Sequence, residues 1–229
     1  MERNNTSFCV PNLSVLPGPQ KALFVELKDT PSHFVLCGGT AIALRLGHRI
    51  SVDFDFFSKE NFDPDALYDK VPYLKEAEIL QKENNTLTCL VDRNGPVNVS
   101  FFGGLTFQYI KSPDILKGPG IKIATLLDLA AMKATVVQKR ATAKDYSDID
   151  ALLLEGIDLA TVLAAGSLMY GRRFNPQITL KALTYFKEGD LETLSPETKD
   201  RLVQAVKKLD ERTILKRIDE LQQQRSICP

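Results

Sequence analysis

Two aspartates one residue apart, Asp53 and Asp55, stand in residues 50–58 (ISVDFDFFS), where acidic and apolar side chains alternate. Alternation with a period of two is the pattern of a strand with one wet and one buried face. On such a strand the two carboxylates share a face while Phe54 and Phe56 pack behind it. Carboxylates held this close repel each other unless a hard divalent cation lies between them. Such a cation bridges phosphate oxygens and offsets the charge of a leaving pyrophosphate. About thirteen residues earlier, Gly38-Gly39-Thr40 ends a short apolar run and opens a helical pattern. A helix starting straight after two glycines points backbone N–H groups outward, where they hold a phosphate. Glycine leaves room for the oxygens to approach. Thr40 reads as the helix cap and as a phosphate contact, and Arg49, four residues before Asp53, as a contact to a triphosphate.

Other phosphate and metal chemistries find no footing. No Lys-Ser/Thr follows the glycines, so there is no P-loop, and G-x-G-x-x-G is absent. Cys9, Cys37, Cys89 and Cys228 form no C-x-x-C pair, and two histidines do not complete a zinc site. Cys37 and Cys89 lie in apolar runs and read as buried thiols. Gly-Gly alone would serve a plain turn, and D-x-D alone a solvated strand face. Their order and spacing around one helix point to a phosphate and metal site. Arg45 reads as a surface base and His48 as a loop residue.

The elements that would position these residues follow from pattern. A helix over 20–28 ends at Pro31, and 34–37 is a buried strand. A helix from Thr40 closes at Gly47, and the D-x-D strand comes next. Asp63-Pro64 starts a short helix. Strands follow near 77–82, 86–91 and 97–102, the last two joined by a hairpin at Asp92-Arg-Asn-Gly95. Beyond a glycine-rich boundary near 115–122 the chain reads as helical, over 125–139, 144–154, 159–170, 176–186 and 196–224. Lys133, Arg140 and Lys144 fall on one stripe if that helix is unbroken, which a solvated basic face also explains. Thr142 to Asp145 reads as a capping box, with Asp148 and Asp150 as first-turn acids.

Composition bounds the rest. The 229 residues are 44% hydrophobic and 25% charged, as in ordinary globular proteins. The 29 basic and 29 acidic side chains cancel, so no overall field favours nucleic acid. Locally, 53–92 carries ten acids against four bases, and 111–144 seven bases against two acids. That suits a metal site facing a polyanion, or two solvated faces without function. The start, MERNNTSFCV, has no apolar signal core, and no stretch reaches spanning length, so a cytoplasmic protein without membrane contact is expected. Asn5 in that start marks no glycosylation site without secretion.

The segment GGTAIALRLGHRISVDFDFFS resembles the AbiEii/AbiGii-like toxins within the polymerase-beta-like nucleotidyltransferase superfamily. Cys37-Gly38-Gly39 and Asp53-Phe54-Asp55-Phe56 match the superfamily's Gly-Gly and Asp-hydrophobic-Asp pattern. A family helix lysine and later aspartate match Lys133 in MKATVV and Asp145 in KDYSDID. The resemblance implies an α+β nucleotidyltransferase fold over 1–118, a mixed sheet flanked by helices, followed by a helical domain over 119–229. It further implies Mg2+-dependent transfer of a nucleoside monophosphate from a nucleoside triphosphate to an acceptor hydroxyl on RNA, tRNA or protein. A cognate antitoxin is implied as partner. In this scheme Asp53 and Asp55 bind magnesium. Gly38, Gly39, Thr40, Arg49 and Lys133 bind nucleotide, and Asp53, Asp55, Lys133 and Asp145 are catalytic. Many superfamily members carry a third acid on a neighbouring strand, whereas residues 97–102 (VNVSFF) offer none, and Asp145 is expected in its place. Two rival readings remain: a non-catalytic nucleotide- or partner-binding module, and a small-molecule nucleotidyltransferase of the antibiotic-modifying kind.

Overall fold

The computed structural model describes residues 7–227, with side chains described to residue 224. Asn5 and Cys228 lie outside the described residues. The chain forms two compact units. One extends through Phe107 and takes in Ser112–Thr125; the other comprises Gln108–Lys111 and everything from Leu126 onward.

The first unit is built on one mixed sheet. Its strands are β1 (Phe8–Cys9), β2 (Val35–Cys37), β3 (Asp53–Phe57), β4 (Glu78–Glu83), β5 (Thr86–Asp92), β6 (Pro96–Phe102), β7 (Asp114–Leu116) and β8 (Lys122–Ile123). They lie in the order β1-β7-β8-β2-β3-β6-β5-β4. Helices α1 (Gly18–Phe24), α2 (Gly38–Leu46) and α3 (Pro64–Lys70) accompany it. β3 runs antiparallel to β2 and parallel to β6, so neither of its edges is open. One face is dry because Phe54, Phe56, Val99 and Phe101 are wholly buried. There Phe56 stacks on Phe101 at 5.2 Å, and Phe34 meets Phe101 edge-on at 5.0 Å. Such aromatic pairs add to the stabilisation that burial of their area already gives. The hairpin expected at Asp92–Gly95 forms: Asn94 and Gly95 take positive φ, and the Asp92 carboxylate accepts from the Gly95 N–H. β8 extends the sheet past residue 118, where the sequence pattern ends the first domain.

The second unit is helical: α4 (Leu126–Val136), α5 (Ala143–Leu154), α6 (Leu159–Tyr170), α7 (Pro176–Ala182), α8 (Pro196–Lys207) and α9 (Glu211–Ile227). α6 (LATVLAAGSLMY) is apolar around most of its circumference and packs against both α4 and α9. Gly166 on α6 touches the Phe174 ring, and a Cβ there would come within 2.7 Å of it. No single helix among the described residues is long and apolar enough to cross a membrane.

The structure corrects several expectations. Residues 196–224 form two helices, because Asp210 accepts from the Arg212 N–H and starts a new one. Thr40 is not a cap: α2 begins at Gly38, and Thr40 is its third residue. α4 ends at Val136 and α5 starts at Ala143, so Lys133, Arg140 and Lys144 share no helical stripe. No capping box forms either: the Thr142 side chain makes no cap bond and the Asp145 carboxylate is taken by Lys133 and Arg140, while the Ala143 N–H is held by the Asp190 carboxylate at 2.6 Å. Arg45 is a half-buried latch, not a surface base. It pairs with Asp114 at 2.6 Å and donates to the Ala124 carbonyl, tying α2 to the β7–β8 corner.

Candidate active site

On β3 the burial pattern alternates, and Asp53 and Asp55 sit on the less buried face together with Phe57. Register places Asn98 beside Asp53 and Ser100 beside Asp55 on the parallel neighbour β6. The Asn98 amide donates to Asp53 at 3.1 Å, while its buried carbonyl oxygen has no hydrogen-bond partner. Across β2, Cys37 opposes Asp55, and the chain turns at once into α2.

Gly38 makes that turn with φ at +71°, a left-handed conformation that side chains rarely adopt. A Cβ on Gly38 would also fall on the Asp55 carboxylate. Glycine is thus required twice, for the turn and for the approach of Asp55 to the helix start. The positive end of the α2 dipole and its first-turn N–H groups, which have no intrahelical partners, favour anions there. Thr40 is buried, and its hydroxyl bonds to Ser51 at 2.7 Å and donates to the Asp53 carbonyl. This side chain pins the start of β3 to α2. Arg49 continues the line, donating to the Ile50 carbonyl at 3.1 Å and to Ser51 at 3.5 Å.

The donor set can be tested against magnesium. Two carboxylates on one strand face and an unpartnered amide oxygen beside them are hard oxygen ligands, the kind magnesium takes. Among the described residues no group of three or more His, Cys, Asp or Glu gathers around a metal position. That also fits, because magnesium in phosphoryl-transfer sites is held by one or two carboxylates, with substrate phosphates and water completing its shell.

Lys133 and Asp145 lie together in the second unit. The Lys133 ammonium sits between Asp145 at 2.5 Å and Asp148 at 2.6 Å. Arg140 grips Asp145 from outside at 2.7 and 3.1 Å. Both carboxylates are fully buried, and Lys133 nearly so. Burial pushes the Asp145 carboxyl up, but the Arg140 bonds and the Lys133 charge outweigh it and hold it below the usual carboxylate range. Asp148 and Asp150 are not first-turn acids: α5 starts at Ala143 and puts both beyond its first turn. Asp150 is buried and paired with Arg201 at 2.6 Å, with Thr198 donating to it as well.

The family model for the nucleotidyl transferase AbiEii toxin of type IV toxin–antitoxin systems matches residues 22–224. The chain belongs to the AbiEii family. An uncharacterized protein of Aquifex aeolicus is 33% identical over 159 residues, covering 68% of this chain and 75% of that protein. The nucleotidyltransferase toxin MenT4 of Mycobacterium tuberculosis shares the fold at a TM-score of 0.56 and 17% identity, over 85% of this chain and 83% of its own. A crystal structure of a candidate nucleotidyltransferase from H. pylori does so at 0.51 and 18%, over 89% and 93%. These likenesses are of fold. The AbiEii chain is thus a toxin nucleotidyltransferase with the α+β nucleotidyltransferase fold.

Sequence reasoning passed over two residues of the first unit, Asn98 beside Asp53 and Ser51 beside Thr40, and in the second unit it read Asp148 as a first-turn acid. Asn98 was within reach of the period-two pattern, because it shares a strand face with Ser100. Ser51 bridges Thr40 and Arg49, and Asp148 is the second partner of Lys133. An i+3 spacing from Asp145 on a helix brings Asp148 to the same side.

Proposed function

We propose that this chain transfers a nucleoside monophosphate from a nucleoside triphosphate to an acceptor hydroxyl on RNA, tRNA or protein, with magnesium, under the restraint of a cognate antitoxin. The observation that carries it is the placing of Asp53 and Asp55 on one face of a central strand, with Asp55 against the glycine that opens α2. Asp53 and Asp55 would hold the magnesium ion, which supplies positive charge to the reacting phosphates when bound. Backbone N–H groups of Gly38, Gly39 and Thr40 hold triphosphate oxygens, with Arg49 beside them. Asn98 fixes the Asp53 carboxylate and needs no proton transfer to do so. Lys133 and Asp145 are buried against each other, so their proposed part is to hold the charged network with Asp148 and Arg140 rather than to touch substrate.

Asp53→Asn tests this reading. It keeps the side chain's shape and removes one ligand charge. Label transfer from an α-labelled triphosphate into total RNA or protein is expected to fall at least about a hundredfold, the scale of losing a key electrostatic group. Transfer at the wild-type rate would refute the assignment.

A further inference from the structure

A cavity of about 340 Å³ opens in the helical unit, between the α4–α5 turn and the end of α7. It lies at the lower end of ligand-pocket sizes, room for one small molecule. The turn contributes Lys139 and Arg140, and the α7 side contributes Ile178, Lys181, Tyr185 and Glu188. Lys139 and Lys181 face one carboxylate, Glu188, while Arg140 is already paired with Asp145, so the wall carries a modest positive excess. Tyr185 is 49% exposed and Ile178 45%, large apolar surfaces left open beside those cations. Among the described residues no carboxylate forms an ion pair with Lys139 or Lys181. The floor is firm: Tyr146 is buried and its hydroxyl donates to the Ala182 carbonyl at 3.3 Å.

An aromatic face beside positive charge recognises a planar ring that carries an anion. We propose that this cavity binds a nucleoside phosphate, its base against Tyr185 and its phosphate between Lys139 and Lys181. The ligand is either a free nucleotide or the nucleotide unit of a single strand. Arg140 lines the cavity and also bonds Asp145, so an occupant would touch the group that holds that carboxylate. The site is independent of the reading at Asp53, because it needs no metal.

The test uses the full chain in EDTA. Titrations with fluorescein-labelled AMP and with a labelled ten-nucleotide single-stranded RNA are followed by anisotropy. Tyr185→Ala is expected to weaken binding about tenfold, the scale of losing one base stack. Lys181→Gln is expected to weaken it and, for RNA, to lower the slope of log affinity against log salt by about 0.7, one phosphate contact. Lys82→Gln, at an exposed position of β4 outside both sites, is expected to bind as wild type. Loss seen with AMP assigns a free nucleotide, and loss seen with RNA alone assigns a strand. Both positions are exposed, and unchanged circular dichroism is the control for folding. Absent binding of either probe, or equal binding by wild type and both cavity variants, overturns the proposal.

Discussion

Lys133→Met replaces the buried ammonium with an apolar group of similar length. Its effect can be sized from the geometry. The lost ammonium lies 2.5 Å from Asp145 and 2.6 Å from Asp148, and both carboxylates have no exposed side-chain surface. Arg140 remains on Asp145, but its side chain is 55% exposed, so solvent screens part of its charge. Removing one partner of such a buried set costs about 3–5 kcal/mol, because an uncompensated charge is left behind. For a chain of this size that lowers the melting temperature by about 6–20 °C. The pH dependence follows from Asp145. Its folded value is depressed, so its stabilisation is present above the unfolded value of about 3.9 and is lost as pH falls through the folded one. Without Lys133 the Asp145 carboxyl protonates more readily. The deficit of the variant is therefore largest near neutrality and narrows below about pH 4. Urea denaturation from pH 3 to 7 measures this directly. A triple variant, Lys133→Met with Asp145→Asn and Asp148→Asn, leaves only the half-exposed Arg140 without its partner and no buried charge uncompensated, and should regain most of the loss. If Lys133→Met unfolds within about 1 kcal/mol of wild type, the network does not have the energetics argued here. A folded triple variant with wild-type transfer would confine Lys133 and Asp145 to holding the fold.

Gly38→Ala should cost about 1–2 kcal/mol for the left-handed backbone alone and displace the Asp55 carboxylate; calorimetry with Mn2+ should then show weakened binding, and wild-type affinity would refute the tight approach. Thr40→Val removes the hydroxyl shared by Ser51 and the Asp53 carbonyl, and should cost about 1–3 kcal/mol in urea denaturation. A loss below about 0.5 kcal/mol would mean that the pin does not matter. Arg201→Ala strips Asp150 of its charge partner. Hydrogen exchange should quicken across α5, whereas protection equal to wild type would show that Thr198 suffices.

The sequence made the site legible because its signals are local. Period-two alternation sets Asp53 and Asp55 on one face, and the Gly-Gly pair marks where β2 passes into α2. What it hid depends on distant partners. β1 is two residues long and pairs with β7 about a hundred residues later, so no periodicity announces it. Asp148 and Asp150 occupy positions where solvent-facing acids commonly sit. Only their partners Lys133 and Arg201 reveal them as buried, and Arg201 lies 51 residues from Asp150. Thr40 fits a cap by composition, yet α2 begins at Gly38 with Cys37 in the cap position, three residues sooner.

The Asp190 carboxylate on the Ala143 amide and the Arg201 guanidinium on Asp150 fasten α5 at two heights, and both come from the stretch after α7. Shortening the chain at about residue 186 would release both clasps at once and leave the helix that carries Asp145 and Asp148 loose at its base. The stretch after α7 thus anchors Ala143 and Asp150, while Lys133 and Arg140 hold Asp145, so a chain trimmed there would keep the inner ion pairs and lose the outer contacts.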